Sequence, residues 1–148
     1  MNYVALSNCK DWGLGSKNKL KRFKENEDFK NVIQPTREEL LEGYGVKGNW
    51  KSRFGNIHPI VLELGCGKGE YTIGLAKRYP QKNFIGVDIK GARFWKGAKT
   101  ALEERLPNVL FVRTQIELID LVLEKTKSLK FGLPSPIHRS NTSVPSIA

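Results

Sequence analysis

The sequence predicts an α/β fold on a parallel sheet, because three short apolar runs stop at glycine or polar text and helical patterns separate them. The runs are Ile60–Leu64 (IVLEL), Phe84–Asp88 (FIGVD) and Val109–Val112 (VLFV). Between the first two, Ile73, Ala76 and Tyr79 fall near helical spacing within Glu70–Tyr79. Between the last two, Trp95, Ala98, Leu102 and Leu106 share one face of Ala92–Leu106, which assigns Trp95 to the core. Strand–helix–strand–helix–strand with right-handed crossovers is half of a doubly wound sheet.

The flanks differ in composition. Residues 1–57 are polar, basic and turn-rich; residues 58–120 form the expected half-domain; residues 121–148 form a tail. In the first region Thr36-Arg37-Glu38-Glu39 has capping-box spacing, predicting a short helix through Leu40 and Leu41. Gly43, Gly45, Gly48 and Gly55 break anything longer. In the last, Leu121–Lys130 could prolong a helix, whereas the Pro- and Ser-rich text beyond it has no period and reads as unfolded.

Charge limits the partners. Lys and Arg number 25 against 15 Asp and Glu, a net charge of +10, which favours a polyanion. No apolar run approaches the roughly 20 residues of a membrane span. The amino terminus has no cationic segment followed by an apolar one, so no secretory signal is expected. Two cysteines, Cys9 and Cys66, and two histidines supply neither a disulfide framework nor a metal-ligand set. A cytoplasmic setting fits. Nothing in the sequence sets an oligomeric state.

The densest signal is Glu63-Leu64-Gly65-Cys66-Gly67-Lys68-Gly69, between the first strand and the first helix. Glycines let the chain turn sharply and bring its backbone close to a ligand. A dinucleotide fingerprint needs glycine at position 70, where this chain has Glu70. Glycines at 65, 67 and 69 instead resemble motif I of class I methyltransferases. A carboxylate at the helix start also disfavours a pyrophosphate, while S-adenosyl-L-methionine carries a sulfonium cation and no phosphate. Asp88 ends the second strand 19 residues after Gly69, where it can accept from both ribose hydroxyls. The bland alternatives are a plain tight turn and a helix cap. Cys66 has no histidine near it in sequence and reads as a small loop residue. Gln115 and Glu117 follow the third strand, equally suited to an adenine edge or to a solvated helix start.

Basic residues gather in three places. Lys17, Lys19, Lys21, Arg22 and Lys24 surround Phe23; Lys90, Arg93, Lys96 and Lys99 recur every three residues beside Phe94 and Trp95; Trp50, Lys51, Arg53 and Phe54 repeat the mixture. One such run is ordinarily a solvated face, but three around one glycine loop favour RNA.

Lys17–Pro35, VLELGCGKGEYT, FIGVDIKGARFWKGAK and VLFVRTQIELID together look like the bacterial tRNA (guanine-N7)-methyltransferase family, from about Ser16 to Asp120. The resemblance implies a Rossmann-like class I methyltransferase fold and methyl transfer from S-adenosyl-L-methionine to N7 of a guanosine in the tRNA variable loop. By position it puts Glu63 and Gly65–Gly69 against the methionine part of the cofactor, Asp88 on the ribose and Gln115 beside adenine. Gln115 is not the acid often found there. The rival readings are a methyltransferase for another substrate and a non-catalytic RNA-binding remnant.

The family continues after IELID into a strand ending in an F-P-D-P-like motif, which is absent here, so no catalytic residue is assigned. One codon choice for Leu123–His138, shifted so that each third base begins a codon, reads G-E-N-E-V-S-E-I-W-L-T-F-P-D-P-Q. A frameshifted tail is therefore expected, which codons around Val122 can test. Leu14 likewise resembles an initiating TTG codon. With only three strands, Ile60–Leu64 is expected to expose an unpaired edge, giving a marginal fold with weak cofactor binding.

Overall fold

A computed structural model of the protein describes residues 8–45, 47–123 and 130–131, with side chains for 18–45 and 47–123. The three expected strands are β2 (Ile60–Leu64), β3 (Asn83–Asp88) and β4 (Val109–Arg113), joined by helices α4 (Glu70–Arg78) and α5 (Gly91–Glu103). All pair in parallel, with Leu62 beside Ile85 and Ile85 beside Leu110. Two short strands flank them. β1 (Val32–Ile33) runs parallel to β4, and β5 (Lys130–Phe131) runs parallel to β2 at Val61 and Leu62, giving the order β1-β4-β3-β2-β5. The expected open edge on β2 is thus paired over those two residues. Neither short strand was legible, because two residues carry no period. Apart from Lys130 and Phe131, the tail expectations after Leu123, including the shifted reading, lie outside the described residues.

Both faces of the sheet are covered, which is why its central strands are near-continuously apolar. Period two divides them. Leu62, Ile85, Val87, Leu110 and Val112 face one cluster with Leu40 of α2 (Arg37–Glu42), and with Trp50 and Phe54 of α3 (Trp50–Phe54). Val122 and Leu123, at the end of α6 (Ile119–Val122), close that side. Phe84, Val109 and Phe111 face the other cluster, with Ile73 and Ala76 of α4 and Phe94, Ala98 and Ala101 of α5. Trp50 and Phe54 are therefore core anchors, not a basic–aromatic surface patch. The apolar face of α5 is also shifted by one residue from the expected one: Phe94 is fully buried, while Trp95 is only half-buried. The Thr36 capping box is present, with Thr36 Oγ1 accepting from Glu39 N and Glu39 Oε2 from Thr36 N.

The basic run belongs to a 21-residue helix, α1 (Asn8–Asp28), seated on α5. Buried Asn26 and Asn31 donate through Nδ2 to the carbonyls of Gly91 and Ala98 at 2.9 Å each. Trp95 Nε1 donates to Glu25 at 2.6 Å, and the Arg22 guanidinium lies 5.0 Å from the indole centre. Among the described residues, side-chain amides thus grip carbonyls of α5, from Asn26 on α1 and from Asn31 just beyond it.

Phe111 settles the close approach of loop, helix and sheet. A Cβ on Gly69 would lie 2.6 Å from its ring, one on Gly86 2.8 Å, and one on Gly97 2.9 Å from it and 2.6 Å from the Lys68 carbonyl oxygen. Alanine for glycine inside a helix ordinarily gains roughly 1 kcal/mol, whereas overpacking a close-packed site costs about 1–3 kcal/mol. At Gly97 the obstacle is backbone, so the clash wins. Gly97→Ala is expected to lower the urea midpoint despite its better helix propensity; an unchanged or higher midpoint would show that the loop yields freely.

Candidate functional site

The glycine loop follows β2, Asp88 ends β3, and Thr114 and Gln115 follow β4, so all lie at the carboxyl edge of the parallel sheet. From β2 the chain steps to β3 and β4 on one side, while β5 lies on the other. An open α/β sheet binds ligands in the crevice at such a reversal of strand order.

Gly65, Gly67 and Gly69 all take left-handed backbone, with φ of 71°, 56° and 74°. A residue with a Cβ would be strained at each, so the alternating spacing is a backbone requirement. Gly65 N and Cys66 N both donate to the Val87 carbonyl, at 2.7 and 3.0 Å, anchoring the loop to the end of β3. Asp88 holds it from the side: Oδ2 accepts from Gly67 N at 3.0 Å and Oδ1 from Lys90 N at 2.8 Å. The residue capping α5 is Lys90, and Asp88 is not its cap. Each carboxylate oxygen offers about two acceptor directions, so one on each remains for further donors.

Glu63 sits behind the loop, half-buried, and accepts a hydrogen bond from the Thr72 hydroxyl of α4. Burial pushes its carboxyl above the ordinary value of 4.5, partly offset by hydrogen bonds from Thr72. The Cys66 thiol is pushed far upward, first by burial and then by the negative charges of Glu63 and Asp88. Cys66 is therefore a protonated packing residue rather than a nucleophile. Glu63 and Asp88 set two carboxylates against this side of the loop.

Beside the loop lies a cleft of about 480 Å3 lined by Gly65, Asp88, Lys90, Arg93, Gln115 and Glu117, together with Ile89 and Ile116. Ile89 and Ile116, 47% and 52% exposed, give the cleft apolar walls on which a flat apolar ligand group could pack. Of the residues expected at the cofactor, Gly65, Asp88 and Gln115 meet in this cleft, and Gly67 joins through its bond to Asp88. Glu63 and Gly69 do not line it; one stands behind the loop and the other packs on Phe111. Sequence reasoning missed Ile89 and Ile116. Their signal was only an apolar residue directly after a polar one at the sheet's carboxyl edge.

A second cleft, of about 600 Å3, runs between α1 and α5 and takes in Lys19, Arg22, Lys90, Arg93 and Lys96. Lys21 does not line it and lies 3.8 Å from Glu25, and Lys24 is exposed elsewhere on α1. Lys99 turns to Glu103 and to the Trp95 ring. Lys17 lies on α1, but its side chain is outside those described. Among the described residues, no group of His, Cys, Asp and Glu is arranged to hold a metal, and no helix is long and apolar enough to cross a membrane.

Comparison with known proteins agrees with this geometry. The tRNA (guanine-N(7)-)-methyltransferase of Christiangramia forsetii is 70% identical over 125 residues, covering 83% of this chain and 56% of that protein. The protein of the same name from Porphyromonas gingivalis is 55% identical over 98 residues, covering 64% of this chain and 40% of that one. That from Cytophaga hutchinsonii is 41% identical over 128 residues, covering 85% and 57%. The chain thus spans about half the length of the curated relatives it matches. A family model described as "Putative methyltransferase" matches residues 57–140, more than half of the chain, and takes in the loop, Asp88 and Gln115. With its glycine loop, its strand-end acid and this match in agreement, the chain belongs to that methyltransferase family.

Proposed function

We propose that the chain binds S-adenosyl-L-methionine at the glycine loop and serves methyl transfer to N7 of a guanosine in tRNA, in the cytoplasm. The observation that carries the cofactor is the Asp88 carboxylate, hydrogen-bonded to Gly67 N while keeping acceptor capacity toward the cleft. The relatives, each a tRNA (guanine-N(7)-)-methyltransferase by name, support the substrate.

The residues present fit that cofactor. Asp88 would accept from the ribose hydroxyls. Gln115 would meet the adenine edge, with Ile89 and Ile116 on the ring faces. Glu63, whose charge already reaches the loop at Cys66, would favour the cationic methionine end. When bound, the cofactor supplies an electrophilic methyl on a sulfonium, which leaves as a neutral thioether as the N7 lone pair takes the methyl. N7 carries no proton, so the chain's task is alignment and exclusion of water rather than acid–base chemistry. Lys19, Arg22, Lys90, Arg93 and Lys96 would meet RNA phosphates.

Asp88→Ala removes the loop's lateral anchor and the ribose acceptor. Hydrogen bonds to a charged group contribute about 1.5–3 kcal/mol, so cofactor affinity by calorimetry is expected to fall between roughly tenfold and a hundredfold. Equal or tighter binding of NAD than of S-adenosyl-L-methionine by the unsubstituted chain would sink the cofactor assignment. Incubation with bulk tRNA and methyl-labelled cofactor should give label at guanine N7; label appearing only in protein or small molecules would sink the substrate.

Glu63 gives a test with opposite signs. A carboxyl whose folded pKa exceeds its unfolded value binds its proton more tightly in the folded state, so the stability it contributes is lost as pH rises through that window, from 4.5 upward. Glu63→Gln removes this cost and is expected to raise the urea midpoint at neutral pH. It should also weaken cofactor binding about tenfold, the scale of one charge-assisted interaction. In the unsubstituted chain, affinity should decline on acidification through the same window. A variant less stable and undiminished in binding would reverse both assignments.

A further inference from the structure

We infer that the α1–α5 groove is the track for the RNA backbone, and that Lys68 of the glycine loop belongs to this track rather than to the cofactor cleft. The inference rests on the reading of RNA as substrate and goes beyond it by saying which cations act together.

Six cations converge on the groove: Lys19 and Arg22 from α1, Lys68 from the loop, and Lys90, Arg93 and Lys96 from the start and first turns of α5. No acidic residue among those described lines it. Among the described residues none of the six forms an ion pair; the pairs that do form engage Lys21, Lys77 and Lys99. The carboxylate that would neutralise the groove is withdrawn. Glu25 accepts from Trp95 Nε1 and faces Lys21 across one helical turn, leaving the indole as an apolar wall with Arg22 against it. Holding six like charges together without counter-ions costs electrostatic energy, which a polyanion relieves by exchanging its own condensed cations for these side chains.

The groove has a direction. Lys90 and Arg93 also line the cofactor cleft, so the track opens onto the cleft beside Asp88. Lys68 lines the groove and a smaller neighbouring hollow by Gly69 and Gly97, but not the cofactor cleft. Its backbone is clamped on α5, since a Cβ at Gly97 would meet the Lys68 carbonyl oxygen at 2.6 Å. The same five-residue loop thus offers its backbone to the cleft on one side and one ammonium to the groove on the other. A strand lying along α5 would pass Lys96 and Lys68 before reaching the cleft mouth at Arg93 and Lys90.

The test measures affinity of the full chain for bulk tRNA by fluorescence anisotropy across a salt series, with Lys68→Gln, Lys96→Gln and the double variant. Lys82→Gln is the control, because Lys82 stands at the opposite, amino-terminal edge of the sheet beside the Tyr79 ring. Removing one cation from a phosphate should reduce the slope of log affinity against log salt by about 0.7–0.9, roughly a fivefold weakening near 0.15 M salt. The double variant should lose about twice as much slope, and the control none. Calorimetric cofactor affinity of Lys96→Gln should be unchanged, locating the loss in RNA binding. If the unsubstituted chain binds tRNA with a salt slope that the groove variants share with the control, the groove assignment is overturned while the RNA reading stands. If it shows no salt-dependent tRNA binding, the RNA reading fails and takes this inference with it.

Discussion

The ring of Phe111 fills a space that three glycines vacate, and the remainder of the site depends on that fit. Gly69 ends the loop, Gly86 lies in the middle of β3 and Gly97 lies inside α5, yet each would place a Cβ within 3 Å of the same ring. Phe111 is fully buried and stacks on Phe94 at 5.6 Å. Removing the three Cβ atoms lets the loop backbone, the helix and the sheet approach more closely than side chains would allow. Once the loop is seated there, Val87 and Asp88 bind its amides, and the left-handed turns at Gly65 and Gly67 have fixed directions. A loop resting on flexible contacts would hold its ligand-facing groups less tightly.

Charge is separated across this small loop. Glu63, behind the loop, and Asp88, bonded to Gly67 N, place two carboxylates on one side. Lys68, Arg93 and their neighbours make the other side positive. A cation and a polyanion could therefore be held within a few residues of one another without competing for the same groups. The proposed methyl transfer from a sulfonium to a nucleic-acid base would use both sides of the glycine loop. Interactions at the negative side are short and partly buried, and so are little screened. Those proposed for the open groove would be salt-sensitive.

The amino-terminal helix shows how a basic segment becomes part of a site. Its polar composition gives it little apolar surface to bury, so hydrophobic packing alone would hold it weakly. Asn26, and Asn31 just beyond the helix, instead reach carbonyls of α5, and Trp95 reaches Glu25. Net gains of about 1 kcal/mol per buried hydrogen bond are modest, but they fix register as well as attachment. Register decides which cations of α1 face the groove. Lys19 and Arg22 do, while Lys21 and Lys24 do not.

Local order along the chain sufficed for β2, β3, β4 and the two helices between them. Apolar period and turn chemistry act over a few residues and are written directly in the sequence. The same holds for the Thr36 capping box and for the glycine spacing, since left-handed backbone at 65, 67 and 69 strongly favours glycine. Tertiary structure alone decided the rest. It moved Trp95 from core to groove wall, buried Trp50 and Phe54, paired β1 and β5 with the sheet, and turned Lys68 away from the cleft its own motif builds. Each depends on contacts between residues distant in the chain, whose energies no local pattern contains. The sequence by itself determined where a left-handed glycine turn must form; the packing of α1 on α5, and of the loop on Phe111, decided which side chains surround it.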